Sequence, residues 1–518
     1  MADPSRPLHG KVILVTVCLL ASLLEVIDTT IVGIAAPSIM GELGIAIDQV
    51  SWVLTGYILA NAIILPISGW CTMQLGRRNY FTACIALFTL SSFFAATAPN
   101  IGWLITFRII QGLAGGGILP VAQVLIQECF PDKRKELASA IFAISVLVGA
   151  MAGPVLGGLI TTYFSWRMIF LVNIPIGIIA IPMAWFFTTE MENGRKKPGR
   201  IDFAGLALLV IAIAGIQFVL ERGERYGWFS SSTIVITLSV GIIALIAFIY
   251  WELYCKNPLL NLRMFKHNPV WAGPLAIAGA GFVLYSTIFA IPILVETVLN
   301  ISPLQVGLLF VPGTACALFI APITAFALKK THHLFIFLIG TICLGLVCWM
   351  FAHITSLSSY DSFFLPLILR SVGLTIIFIS VTTLVFKQFE GEALAHVSGI
   401  GNLARQIGGS FGIAIFSALY QRNQKIFYSY TTGDLTLLRD NVRETYQGIK
   451  AAVNVSADLL TSPVDIANNT FHQMITQQAL ILGSNRIFAI WILVVFGSIL
   501  LPLFLLRIRK GPPISRFL

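Results

Sequence analysis

Apolar runs long enough to cross a bilayer recur along almost the whole chain. Their approximate limits are 12–39, 50–73, 80–98, 102–127, 138–162, 168–188, 202–220, 232–252, 271–296, 303–328, 334–354, 362–386, 396–420 and 487–507. About 20 apolar residues in a helix span the hydrocarbon core. Lipid offers no partner to a free backbone amide, so each run predicts a helix, and the pattern predicts an all-α membrane protein of fourteen spans. The breaks between runs are short and polar except for 421–486, which is long and carries mixed charge. The end of that segment, Phe471 to Leu482, places apolar residues at helical intervals, which predicts folded structure there.

Lysine and arginine alternate from break to break. One side carries Arg77 and Arg78, Lys133 to Lys135, Arg195 to Lys197 with Arg200, Lys256, Arg263 and Lys266, and Lys329 and Lys330. Both ends of the chain fall on that side, with Arg6, Lys11, Arg507, Arg509 and Lys510. The opposite short loops carry little beyond Arg167, Arg222 and Arg225. Positive charge marks the cytoplasmic side, so both termini are expected there. The chain divides into an N-terminal stretch 1–11, six spans over 12–188, an inserted pair over 189–270, six more over 271–507 with the outer segment 421–486, and a tail 508–518. The two sets of six echo each other: Arg108 and Gly112 in span 4 match Arg370 and Gly373 in span 12, and spans 5 and 13 are both rich in glycine. Repeats of this kind build alternating-access transporters.

Composition sharpens the picture. The 518 residues are 57% hydrophobic and 11% charged, with a mean hydropathy of +0.88. Soluble domains carry about twice that share of charge. The net charge of +10 is what cytoplasmic loops of a membrane chain supply, and nucleic acid is not expected as a partner. The eight cysteines form no disulfide framework or zinc spacing; Cys18, Cys84, Cys316, Cys343 and Cys348 sit within apolar runs. The first run is too long and too acidic for a cleaved signal and counts as a span.

Ionisable groups inside spans are the candidate chemistry. Glu25 and Asp28 lie three apart on one face of span 1. A charge at a helix centre costs about 2.5–3.5 kcal/mol on insertion scales, which favours a functional role; a salt bridge holding two helices is the alternative. Burial favours the neutral acid and a nearby cation favours the carboxylate, and a site balanced between them loads and releases protons. Arg108 in span 4 is the expected cation, with Gln111 completing the polar group. Gly149, Gly153, Gly157 and Gly158, with Pro154, predict a close-packed, bent helix. Trp52, Tyr57 and Asn61 of span 2, and Phe282, Tyr285 and Phe289 of span 9, are candidates to line a pocket or else pack in the core. Glu296 and Arg370 either join that pocket or pair structurally, and Arg405 is expected to hold span 13 in place.

Several stretches carry a resemblance: Asp28-Thr29-Thr30-Ile31-Val32-Gly33-Ile34-Ala35-Ala36-Pro37 in span 1, Arg108 to Gly117 in span 4, Gly149 to Gly158 in span 5, then Trp166 to Phe170, Asn173-Ile174-Pro175, and Asn402 to Gly409 in span 13. Together they resemble the fourteen-span drug:proton antiporters of the major facilitator superfamily, EmrB-type exporters among them. The resemblance covers nearly the whole chain, including the inserted pair and the long outer segment. It implies a fold of two six-helix bundles plus two inserted helices, in the inner membrane of a bacterium. It implies export of small hydrophobic or amphipathic compounds, driven by the proton gradient with no cofactor and no resident metal. Partners implied by the likeness are a periplasmic adaptor and, through it, an outer-membrane channel. The chain departs from the family pattern twice. The loop motif after span 2 has Gly69, Gly76, Arg77 and Arg78 but lacks the usual acid, so its gating is expected to be looser or differently wired. Gly33 stands where the span 1 motif usually has Asn.

Other functions compete. Export of one natural substrate, such as a siderophore, lipid or metabolite, fits the same pattern. A polytopic membrane enzyme would need catalytic side chains gathered at one membrane face, with a metal cluster, a nucleophile and base, or a phosphate loop; none is evident in the sequence.

Overall fold

The computed structural model describes residues 8–131, 135–188, 202–255, 258–260, 262–263, 268–331, 333–355, 358–386, 391–434, 440–456 and 463–497. The tails, several of the basic loop residues (Arg6, Lys133, Arg134, Arg195 to Lys197, Arg200, Lys256, Lys266, Arg507, Arg509 and Lys510) and positions 498–507 of the last expected span lie outside these.

Helices form where the apolar runs predict them. They are α1 (Leu8–Leu43), α2 (Ile47–Leu75), α3 (Arg77–Ala96), α4 (Ile101–Cys129), α5 (Lys135–Tyr163), the short α6 (Met168–Leu171) leading into α7 (Asn173–Phe187), α8 (Phe203–Tyr226) and α9 (Ser232–Tyr254). The second half has α10 (Asn268–Leu299), α11 (Pro303–Lys330), α12 (His333–Phe351), α13 (Phe364–Phe386), α14 (Gly391–Asp434), α15 (Asp440–Ser456) and α16 (Pro463–Val495). Among the described residues, 12 helical stretches are long and apolar enough to cross a membrane. The shorter apolar α12 and the long, more polar α14 stand at two further expected positions.

Local chemistry sets the ends. Asn100 accepts the Trp103 amide at 3.1 Å and caps α4. Asp202 accepts the Gly205 amide at 2.8 Å and caps α8. Ser302 and Gln305 form a capping box around Pro303 at the start of α11. Between α2 and α3 the chain turns at Gly76, whose φ of 85° excludes a side chain at low cost.

Packing follows the repeat. In the first bundle α1 lies against α4, α5 and α7, and α2 against α4; in the second α10 lies against α13 and α14, and α11 against α13. The inserted helices α8 and α9 pair with each other, and α8 sits on both α2 and α14. Leu59 and Ala62 of α2, Leu209 and Ile213 of α8, Phe248 of α9 and Ile400 and Leu403 of α14 form one apolar cluster at that junction. Here the inserted pair covers the seam between the bundles.

The ends of the bundles differ. At the end opposite Arg77 and Arg78 the bundles touch. The Leu304 amide of α11 donates to the Thr162 hydroxyl of α5 at 3.0 Å, and a Cβ on Gly158 would lie 2.8 Å from Leu304 Cα. A Cβ on Gly33 of α1 would lie 2.6 Å from Ile288 Cγ2 of α10, so glycine at this position permits the contact.

The long polar segment is more helical than its composition suggests. α14 continues without a breaker to Asp434, α15 follows, and α16 starts at Pro463. The last apolar stretch therefore begins near Asn468 instead of 487. Ile475, Ala479, Leu480 and Ile481 bury the face that the spacing of Phe471 to Leu482 marked as apolar.

Candidate functional site

Asp28 of α1 is fully buried and Arg108 of α4 is 1% exposed; they form an ion pair at 2.5 Å. Arg108 also donates from Nε to the Val53 carbonyl at 3.0 Å and from Nη1 to Gln111 Oε1 at 2.6 Å. The other Asp28 oxygen accepts from Gln111 at 2.9 Å and from Asn173 of α7 at 2.8 Å. Ser92 of α3 accepts from Gln111 at 2.6 Å. The Tyr57 ring stacks on the guanidinium at 4.2 Å. Five helices thus supply a closed polar group with its charges paired and its hydrogen bonds largely made, which is the condition for keeping charge in an apolar interior.

One turn along α1, Glu25 has different surroundings. Its Oε1 accepts from the Tyr57 hydroxyl at 3.2 Å and from Asn61 at 3.0 Å. It lines a cavity of about 880 Å³. The cavity runs from Glu25 and Asn61 down the Leu65–Met73 side of α2, the Gly115–Val124 side of α4, Phe142 and Val146 of α5, and Gly399 to Gln406 of α14, to Asp202 and Leu259 at its mouth. It therefore opens at the end that carries Arg77 and Arg78. At its roof the two bundles meet through Gln406, which donates to Asn61 at 3.0 Å. Beside it Arg405 donates to the Tyr285 hydroxyl at 3.0 Å. No group of three or more metal-ligating side chains occurs among the described residues.

The remaining candidates fall in several places. Asn61 lines the cavity. Tyr57 and Tyr285 stand behind Glu25 and Arg405 and hold them. Gln111 belongs to the closed group around Asp28. Trp52, Phe289, Glu296 and Arg370 do not line the cavity, because they sit in the halves of their helices where the bundles close. Phe289 packs edge-on to Phe416 at 6.1 Å. Arg370 stacks on Phe310 at 5.4 Å and leaves Nε without a partner, as Glu296 leaves Oε1. Arg405, expected only to hold its helix, faces the cavity.

The glycine stripe of α5 packs two ways. Hypothetical Cβ atoms on Gly149, Gly153 and Gly157 meet Val26, Thr30 and Ile31 of α1. Gly158 and the Pro154 carbonyl meet α11 at Leu304 and Gly307. Gly69 lies within α2, near its end, and is exposed; Gly76, at the turn after α2, is buried. Arg77 pairs with Glu128 at the end of α4, and Arg78 stacks on Trp185 at 4.6 Å. Arg77 thus has a carboxylate partner on another helix.

Sequence reasoning missed Asn173, Ser92, Glu128, Gln406 and a further buried carboxylate, Glu221 of α8. Glu221 accepts from Ser51 at 2.5 Å, Thr55 at 3.0 Å and Gln217 at 3.2 Å. The Asn173-Ile174-Pro175 stretch was a usable signal, whereas Glu221 stood just past the end of its apolar run, among the charges Arg222, Glu224 and Arg225.

A family model described as Major Facilitator Superfamily matches residues 18–413. The chain is 29% identical to the multidrug export protein EmrB of Escherichia coli, over 93% of each chain. It is 30% identical to the fatty acid resistance protein FarB of Neisseria gonorrhoeae, over 93% of this chain and 94% of that protein. In fold it is similar to a bacterial homologue of the human lysosomal transporter Spinster, solved inward-facing and unoccupied, with a TM-score of 0.63 at 16% identity, covering 98% of this chain and 100% of that one.

Proposed function

Because the chain belongs to the major facilitator superfamily, we propose that it is a proton-coupled antiporter that exports small hydrophobic or amphipathic compounds by alternating access. The observation that carries this reading is the cavity of about 880 Å³, which reaches the basic end of the bundles, with Glu25 at its roof and the closed Asp28–Arg108 pair one helical turn beyond. Relatives described as a multidrug exporter and a fatty acid resistance protein match the chain over nearly its full length.

In this reading the basic end is cytoplasmic, the termini lie on that side, and the arrangement is the inward-facing state. Substrate enters from the cytoplasm as protons leave the acids of α1. The bundles then rock, the contacts of α5 with α11 and α1 with α10 open, and the acids take up protons from outside. One charge moving through about 100 mV yields about 2.3 kcal/mol, enough for more than a tenfold gradient at about 1.4 kcal/mol per decade. The projecting ends of α14 and α16 and the intervening α15 dock a periplasmic adaptor that continues the path to an outer-membrane channel.

Reconstitution into liposomes with an imposed pH gradient and a panel of lipophilic dyes and amphipaths tests the proposal. The expected result is uphill transport that collapses with a protonophore. Transport that persists after the gradient is abolished discards proton coupling.

A further inference from the structure

Glu221 of α8 is a buried carboxyl group that the proton path described above leaves unused. It is fully buried and stands about 7.5 Å in from the outer end of α8 at Tyr226. Its hydrogen bonds come from neutral groups: Ser51 at 2.5 Å and Thr55 at 3.0 Å from α2, and Gln217 at 3.2 Å from its own helix. No cation pairs with it among the described residues. The charged groups nearby are engaged with one another. Asp48 of α2 is held by Arg222 at 2.8 Å and Arg225 at 3.7 Å, and Glu224 of α8 takes Lys425 of α14 at 3.6 Å. Tyr57 of α2 turns to Glu25, Arg405 of α14 to Tyr285, and Tyr226 packs on Phe218. Tyr420 and Arg422 complete the titratable groups that α14 brings to this end, and the outer half of α9 and the turn Trp228–Ser230 bring none. Glu221 also stands on the seam between the bundles. It and the Arg222–Asp48 pair tie α8 to α2 of the first bundle; Glu224–Lys425 and Gln217, which donates to the Ser410 carbonyl at 3.3 Å, tie α8 to α14 of the second. When the outer end opens, α8 leaves one of these helices and water reaches Glu221.

We propose that Glu221 is a further proton site, open only to the outside, that takes up a proton as the outer end closes and returns it as that end opens. This rests on the alternating-access reading above. A carboxylate sealed in an apolar seam without a cation is costly, whereas the neutral acid keeps its place by donating its proton to one of the facing hydroxyl groups and accepting from the other. The closed state therefore binds one more proton here than the open state. External acid then favours closure, and rising pH favours opening by up to about tenfold per unit, the ceiling for one linked proton. Glu221 does not line the cavity, so its proton is exchanged with the outside and is not carried across. Its role is to make closure of the outer end depend on the acidity that drives the exporter.

The test is hydrogen–deuterium exchange of the purified full-length protein in nanodiscs, from about pH 5.5 to about pH 8.5, corrected for the intrinsic pH dependence of amide exchange. The segments read are the outer ends of α5 and α11, which touch in the closed state. Wild type is expected to lose protection there as pH rises, at up to about tenfold per unit. Glu221→Gln is expected to stay protected throughout, because its amide is always neutral. The same contrast is expected when Glu25→Gln and Asp28→Asn are present in both proteins, which removes the acids of α1 from the response. A flat wild-type profile, or a wild-type pH response in Glu221→Gln, overturns the inference. A uniform rise in exchange at every pH, with the response intact, makes Glu221 a structural tie and overturns it too. Should Glu221→Gln fail to fold, Ser51→Ala decides: loss of a donor to the carboxylate displaces the profile to higher pH, and an unmoved profile overturns the inference. If liposomes show no proton-driven transport while the Glu221-dependent response is present, the coupling reading falls and the proton site stands.

Discussion

Removing the charge of Arg108 leaves Asp28 buried with only two amide donors, Gln111 and Asn173. Breaking a buried pair by deleting one partner costs about 3–5 kcal/mol. Arg108→Ala is therefore expected to abolish proton-driven efflux and lower thermal stability in detergent, whereas Arg108→Lys retains a measurable fraction of transport. Equal transport by both variants at matched expression sinks the coupling role. Asp28→Asn removes the carboxylate but preserves shape, and is expected to insert normally while losing uphill efflux; undiminished efflux from this variant removes Asp28 from the proposed proton path. These two residues were legible because a charge in an apolar run stands out in one dimension. Ser92 was not, since a neutral polar residue is ordinary in a membrane helix. Nor could the spacing of Glu25 and Asp28 show that one faces a cavity and the other a closed cluster. That difference is made by side chains of α2, α7 and α14.

For the helices, the apolar pattern located most spans but missed α15, the extension of α14 to Asp434 and the early start of the last apolar stretch, and the glycine spacing of α5 matches the close contacts it makes. Which partner each glycine meets was not in the pattern, because a stripe of small residues says only that something comes near. Gly158 faces the other bundle through Leu304. Gly158→Leu is expected to keep the contact of α5 with α11 from closing, giving at least a tenfold loss of efflux or a proton leak in liposomes. Wild-type values for both would show that this contact is dispensable. The loop after α2 gives a second case. Glu128→Gln removes one partner of Arg77, in a partly exposed pair worth less than about 1 kcal/mol to stability. Its expected signature is a several-fold slower turnover at nearly unchanged melting temperature. Arg77→Glu combined with Glu128→Arg should recover more activity than either alone. No recovery in the double variant would mean that the pair is not a latch.

At the scale of the whole molecule, the order of spans and the inserted pair were legible from hydropathy and charge. The seat of α8 across the α2–α14 seam was not, since it depends on Glu221 meeting Ser51 and Thr55 and on Gln217 reaching the Ser410 carbonyl. The helical build of the outer segment was legible only in its second half. Replacing α15 with a short Gly/Ser linker is expected to spare transport in liposomes and to abolish resistance and adaptor co-purification in whole cells. Retained co-purification would move the docking site elsewhere.

Arg108 and Asp28 have a consequence for the energetics of the cycle. Held at 2.5 Å, they cross any electric field as a dipole with no net charge, so a carrier reorienting with the pair intact and a neutral cargo draws nothing from the membrane potential through it. Adding a proton to Asp28 makes the pair singly positive. Only that leg is then pulled by voltage, at about 2.3 kcal/mol for each 100 mV traversed. Hyperpolarisation would speed the return of the proton-loaded carrier and leave the export stroke of a neutral compound indifferent to it.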